Sequence, residues 1–230
     1  MKTAIITVLG FLLATPVANA WVVGPPPVNC TGTISDETIN TNLIVPPNTS
    51  CTLKNVTVTG NVDVEQGASL KTNPSPTQKV TINGNVVANQ CKSVDLSGNA
   101  SNHGPISIGG NVSIQNCTGN ASLAKSKTIG GNVVCSGNAS CEVDHSTIQG
   151  NLTVDNNNSS TRGNDISTTT VSGNVDFSGN TASAKPGFGN TIFSTTIGGN
   201  LNCINNTPPA TNEGAPNTVT GTKTGQCANL

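Results

Sequence analysis

The chain offers few side chains able to do chemistry. Ten Lys and Arg, eleven Asp and Glu and two His are spread over 230 residues. They gather once, in "CEVDHS", where Glu142, Asp144 and His145 could divide acid and base roles. Cleaving an acidic polysaccharide would need more: clustered carboxylates holding Ca²⁺ beside a basic proton acceptor, or closely placed acids flanking a glycosidic bond. Asp63 and Asp176 share one outward position of the repeat described below, but about five coils (~24 Å) apart, and Asp155 falls in another column. The single Arg, Arg162, lies in the polar stretch "DNNNSSTRGND". No Ser nucleophile motif, phosphate-binding loop or metalloprotease helix occurs. The expectation is a chain that is not an enzyme, with "CEVDHS" an ordinary surface loop.

Eight cysteines carry the other chemistry: Cys30, Cys51, Cys91, Cys117, Cys135, Cys141, Cys203 and Cys227. An even number suits disulfides in an oxidising compartment. No C-x-x-C occurs, and His103 and His145 are not spaced with the cysteines as ligands, so neither metal nor cofactor is expected.

These side chains must be positioned by a repeat. "TVTGNVDV" at 57 returns as "TINGNVVA", "SIGGNVSI", "TIGGNVVC", "TIQGNLTV", "TVSGNVDF" and "TIGGNLNC". Counting the central Asn as zero, position minus three is always β-branched and aliphatic, as in Ile82, Ile108 and Ile129. Plus one and plus three are mostly aliphatic, as in Val112 and Ile114. Minus one is Gly from Gly60 to Gly221, and zero is Asn from Asn42 to Asn200, a pair that predicts a corner with positive φ. Successive centres lie 19 to 26 residues apart, the length of one coil of a solenoid. Alternating apolar and polar residues predict short strands whose inward side chains stack from coil to coil, with the Asn amides bonding in ladders. The fold class expected is all-β, a right-handed parallel β-helix (solenoid) of about nine coils. It is favoured over an antiparallel sandwich, which would not need one side chain at one place in every unit. In this register Cys91 and Cys117 stack, six residues after consecutive central Asn. Cys135 and Cys141 could close a loop, while Cys30 with Cys51 and Cys203 with Cys227 would staple the ends.

At the N-terminus, Lys2, an apolar run from Ala4 to Ala14, and Ala18-Asn19-Ala20 predict a cleaved signal peptide over 1–20. Pro16 and the shortness of the run disfavour a transmembrane span. Residues 21–37 are expected to form an N-terminal cap, and 38–230 the β-helix domain with its C-terminal cap. A formal net charge of −1 offers no basic stripe for nucleic acid and no attraction to an acidic membrane.

Two surface features stand out. Asn-x-Ser/Thr sequons begin at Asn29, Asn48, Asn55, Asn99, Asn116, Asn120, Asn138, Asn157, Asn158 and Asn205, glycan candidates in a eukaryotic secretory route. Composition this rich in Asn, Ser and Thr also produces such triplets by chance. Further sequons at Asn111 and Asn151 sit in the expected ladder and make poor acceptors. Position minus four reads Thr38, Thr57, Thr81, Ser107, Thr128, Thr147, Thr170, Thr196 and Thr218, a line of hydroxyls expected to face outward. Thr suits strands in any case; the functional alternative is contact with a glycan or, less well, ice.

The T-[IV]-x-G-N-[VL] units, the paired Cys at both ends and the closing "NTVTGTKTGQC" resemble small secreted Asn-rich β-solenoid proteins of bacteria and filamentous microbes. In size, leader and cysteine number the chain is also similar to eight-cysteine apoplastic effectors or elicitors of fungi and oomycetes. That resemblance implies an extracellular protein recognised by a host, its partner a cell-surface receptor, and supplies no catalytic residues. The coils are similar to bactofilin-type polymerising solenoids too, which are typically cytosolic and lack disulfides. The leading expectation is a secreted effector or elicitor, with a cell-wall or polysaccharide-binding protein as the alternative and a pectin-active enzyme third.

Overall fold

The computed structural model describes residues 24–97, 104–160, 162–183 and 189–230. Among these there is no helix, and every strand pair is parallel. The chain is a β-solenoid of about eight turns. Its first sheet has ten strands, running from Val28–Asn29 through one rung per coil to Lys223–Gly225. The second sheet is bent over a corner, so each turn has three faces. In Ser50–Val58, Asn120–Ile129 and Ser140–Ile148 one strand crosses that corner, at Asn55, Lys125 and His145, all with positive φ. Thr33–Ile39 does the same at Asp36, and on other coils the corner divides two strands, as Thr168 divides Asn164–Ser167 from Thr170–Val171.

The core is built from stacked files. Ile82, Ile108, Ile129 and Ile148 are register partners on successive coils, and all are buried. Val62, Val86, Val112 and Val133 form a second file. Alternation places every second residue inside, so three-residue strands such as Val62–Val64 suffice to fill a layer. Apolar area thus leaves water along the whole rod with few large side chains.

The Gly-Asn corner works differently from the expectation. The central glycines are absent from the positive-φ positions, which fall instead at the next corner on Asn48, Gly67, Gln90, Asn116 and Gly137. Gly131 is required by close approach: a Cβ there would lie 2.5 Å from Asn111 Oδ1 and 2.8 Å from the Gly110 carbonyl. The Asn ladder explains the crowding. Asn132 N–H donates to Asn111 Oδ1 at 2.8 Å and Asn151 N–H to Asn132 Oδ1 at 2.8 Å, with longer Nδ2 to Oδ1 contacts of 3.2–3.3 Å beside them. Each side chain thereby satisfies a backbone donor of the next coil. Thr222 ends the ladder, its N–H and hydroxyl both donating to Asn200.

A second ladder lies inside. Asn138, Asn157, Asn180 and Asn206 are buried, and the N–H of each donates to the side-chain oxygen of the next residue in the series, ending on Gln226. Their Nδ2 groups donate to the Ile114, Cys135, Val154 and Phe177 carbonyls. This places Asn138 and Asn157, two glycan candidates, where no sugar fits in the folded chain. The disulfides join Cys30 to Cys51, Cys91 to Cys117, Cys135 to Cys141 and Cys203 to Cys227. Strand pairing begins at Val28 and continues through Thr33–Ile39, so most of the segment expected to form a cap belongs to the first coil. The leader, residues 1–20, lies outside the described residues, as do Asn99 and His103.

Candidate functional site

The outward hydroxyl file is present: Thr38, Thr57, Thr81, Ser107, Thr128, Thr147, Thr170, Thr196 and Thr218 are in register on the third face. The face is only one such file wide, because its neighbours at minus two alternate among Thr59, Asn83, Gly109, Gly130 and Gln149.

The second face holds a richer arrangement. Asp95, Ser122, Glu142, Asp165 and Thr191 are register partners on five successive coils, the first four half-buried and Thr191 buried. At ~4.8 Å per coil they form a line about 19 Å long. Asp144 and Ser167 flank the line on the same strands as Glu142 and Asp165. The stretch expected to be a surface loop, "CEVDHS", is thus part of strand Ser140–Ile148, which sets Glu142 beside Asp165. Asp63 and Asp176, by contrast, stay far apart on the first face, five ladder steps from one another.

Loops from three consecutive coils wall this line into a groove. A cavity of about 520 Å³ is lined by Asn120, Ser140, Glu142, Arg162, Asp165, Thr191, Phe193 and Glu213. A second hollow of about 400 Å³ adjoins it, lined by Asp95, Ser97, Ser122 and Lys125 and sharing Asn120, Glu142 and Arg162. Two fully buried amides fasten the walls to the floor. Asn164 Nδ2 donates to the Thr181 carbonyl at 3.2 Å and to Asn190 Oδ1 at 3.1 Å. Asn190 Nδ2 donates to the Asn180 carbonyl at 3.1 Å and the Pro208 carbonyl at 2.8 Å. Asn164 Oδ1 also accepts from the Cys141 N–H at 3.1 Å, so these buried amides tie neighbouring coils together behind the groove.

Charge is unevenly held along the floor. Burial pushes the Asp165 carboxyl up to about 6; the Ser167 and Thr191 hydroxyls pull it down, and the charges of Asp144 and Glu142 add to the rise. Ser167 Oγ lies 2.5 Å from Asp165 and 3.0 Å from Asp144. One hydroxyl has one proton, so it cannot donate to two carboxylates at once. With Asp165 protonated, a chain of donors runs from Asp165 through Ser167 to Asp144, which also meets His145 Nδ1. Of the expected cluster, then, Glu142 lines the groove, Asp144 is linked to Asp165 through Ser167, and His145 sits at the exposed corner beside it. Beneath the face, Lys127 is 3% exposed, its Nζ donating to the Ala124 carbonyl at 2.8 Å. Burial lowers its ammonium to about 7, against the pull of Asp95, Glu142 and Asp144.

Among the described residues no three His, Cys, Asp or Glu side chains converge as a metal-holding group. No helix among them is long and apolar enough to cross a membrane. Asp165, Thr191 and Phe193 were not singled out from sequence, because loops of different length separate them from the repeated corner. The inner Asn ladder did carry a signal: Asn138, Asn157, Asn180 and Asn206 each follow a central Asn by six residues, the offset that pairs Cys91 with Cys117. Comparison with family models, with curated proteins and with solved structures finds no match for this chain.

Proposed function

We propose that this chain is an extracellular, non-enzymatic solenoid that binds a polysaccharide along the groove of its second face. The observation that carries this reading is the walled line Asp95, Ser122, Glu142, Asp165, Thr191, which offers acceptors and hydroxyls at a regular step beside the half-buried ring of Phe193. Sugars present hydroxyl donors at regular intervals and an apolar face, and both are answered here. Four disulfides fit an oxidising compartment, which supports the extracellular location. Around the two hollows Asp95, Glu142, Asp165 and Glu213 outnumber Lys125 and Arg162, with Lys71 3.7 Å from Asp95, so a neutral or amino-substituted polymer is favoured over pectin. Pull-down with insoluble cellulose, chitin and pectin tests this. Retention on cellulose or chitin is expected, and protein remaining in the supernatant with all three removes the reading.

A second reading has its own support. A carboxyl raised to about 6 beside a second carboxyl resembles the pairing of acids used in glycoside hydrolysis. Release of reducing sugar from the retained polymer, abolished by Asp165→Asn, would replace binding with hydrolysis. The effector reading draws on size, leader and cysteine number rather than on this surface, and leaf infiltration tests it by cell death or an oxidative burst.

A further inference from the structure

We propose that Asn48, Asn116 and Asn205 form an N-glycosylated edge of the solenoid. All three occupy the corner between the first and second faces, with φ of 58°, 56° and 56°. Asn is placed there because it tolerates the left-handed region, and that conformation turns its side chain away from both sheets. The three are exposed, and so are the sequon hydroxyl residues Ser50, Thr118 and Thr207. Asn116 makes one amide bond, to exposed Asn89 at 3.2 Å, which leaves an Nδ2 hydrogen outward.

Six of the other described sequons are set apart by what their amides do, while Asn29 and Asn158, though exposed, lie off this corner and lack its left-handed φ. Asn138 and Asn157 are buried in the inner ladder. Asn111 and Asn151 hold the outer ladder through both amide atoms. Asn55 Nδ2 donates to Asp36 at 2.8 Å, and Asn120 accepts from Ser140 at the groove. Glycan transfer precedes folding, so sugar on a buried Asn removes that molecule from the folded pool, whereas sugar on the corner file is carried without cost.

The donor is a lipid-linked oligosaccharide of a eukaryotic secretory route. Asn Nδ2 bonds to its anomeric carbon and gives up one proton, and the lipid pyrophosphate leaves from that carbon. The resulting glycans stand along one edge, separated by about three and four coils (~14 and ~19 Å), and leave the hydroxyl file on the third face bare.

The test is translation of the full chain with endoplasmic reticulum microsomes, with secretion from a eukaryotic host in parallel. Endoglycosidase shift and glycopeptide mapping are the readouts. Ser50→Ala, Thr118→Ala and Thr207→Ala remove each sequon without disturbing the left-handed Asn. Loss of one glycan per variant, with Asn138 and Asn157 bare in the folded secreted protein, is the expected result. Failure to enter microsomes, absence of glycan at the three corners, or glycan on Asn138 or Asn157 in folded protein overturns the proposal.

Discussion

Glu142 and Asp165 stand side by side as register partners on adjacent coils of the second sheet. They come from different repeats, and the polar stretch that contains Arg162 lies between them in sequence. Stacking in a parallel solenoid brings such residues within about one strand spacing whatever the loop between them. Burial raises the Asp165 carboxyl to about 6, while Glu142 accepts from the Ser122 hydroxyl at 3.2 Å.

Stability should pass through a minimum between about pH 6 and 7. The folded Asp165 carboxyl lies above its unfolded value, so its contribution is present below about pH 4 and lost as pH rises through about 6. The folded Lys127 ammonium lies below its unfolded value, so its contribution is present above about pH 10.5 and lost as pH falls through about 7. Thermal melts from pH 3 to 11 check this. Asp165→Asn should flatten the acid limb and Lys127→Met the alkaline limb; a profile unchanged in both variants contradicts it.

Gly131→Ala should cost about 1–3 kcal/mol, because the new methyl meets the Asn111 side chain and the Gly110 backbone, neither of which can withdraw without breaking the ladder. Gly32→Ala, with nothing within 4 Å, should be close to neutral. Urea denaturation of the two variants makes the comparison.

Asn157→Ala should destabilise by about 2–4 kcal/mol. It leaves the Asn138 N–H, the Cys135 carbonyl and part of Asn180 unpaired in the core. Asn132→Ala on the outer ladder should cost less, about 1 kcal/mol, since water reaches its partners. Equal losses would show that the inner ladder is no more than the outer one.

Reduction should matter more than brief heating. Each disulfide is worth roughly 2–4 kcal/mol, and Cys30–Cys51 and Cys203–Cys227 tie the end coils, where a stack is open on one side. A melting curve unmoved by dithiothreitol contradicts this.

The stack itself was legible because every coil repeats the same corner at one offset. Ile108 over Ile129, the Asn ladder and the Cys91–Cys117 pair follow from that count, while the other three pairs were read from closeness in sequence and from the ends of the stack. The reason for the glycines was not legible: close approach and positive φ both select Gly, and only geometry separates them. The groove was hidden because the loops between the first and second faces vary in length. Asp165 therefore has no fixed offset from the central Asn to align it with Glu142. Residues 21–37 were read as a cap because the repeat pattern is first visible at Thr38, yet strands Val28–Asn29 and Thr33–Ile39 already pair with the next coil.

The most direct test of function is calorimetric titration with a soluble oligosaccharide of the polymer that retains the protein. Asp165→Asn and Phe193→Ala should each weaken binding tenfold or more, about 1.4 kcal/mol, while Thr128→Val with Thr147→Val should bind as the unaltered chain does. Binding that survives both groove variants, or is lost on altering the third face, would contradict a polysaccharide site on the second.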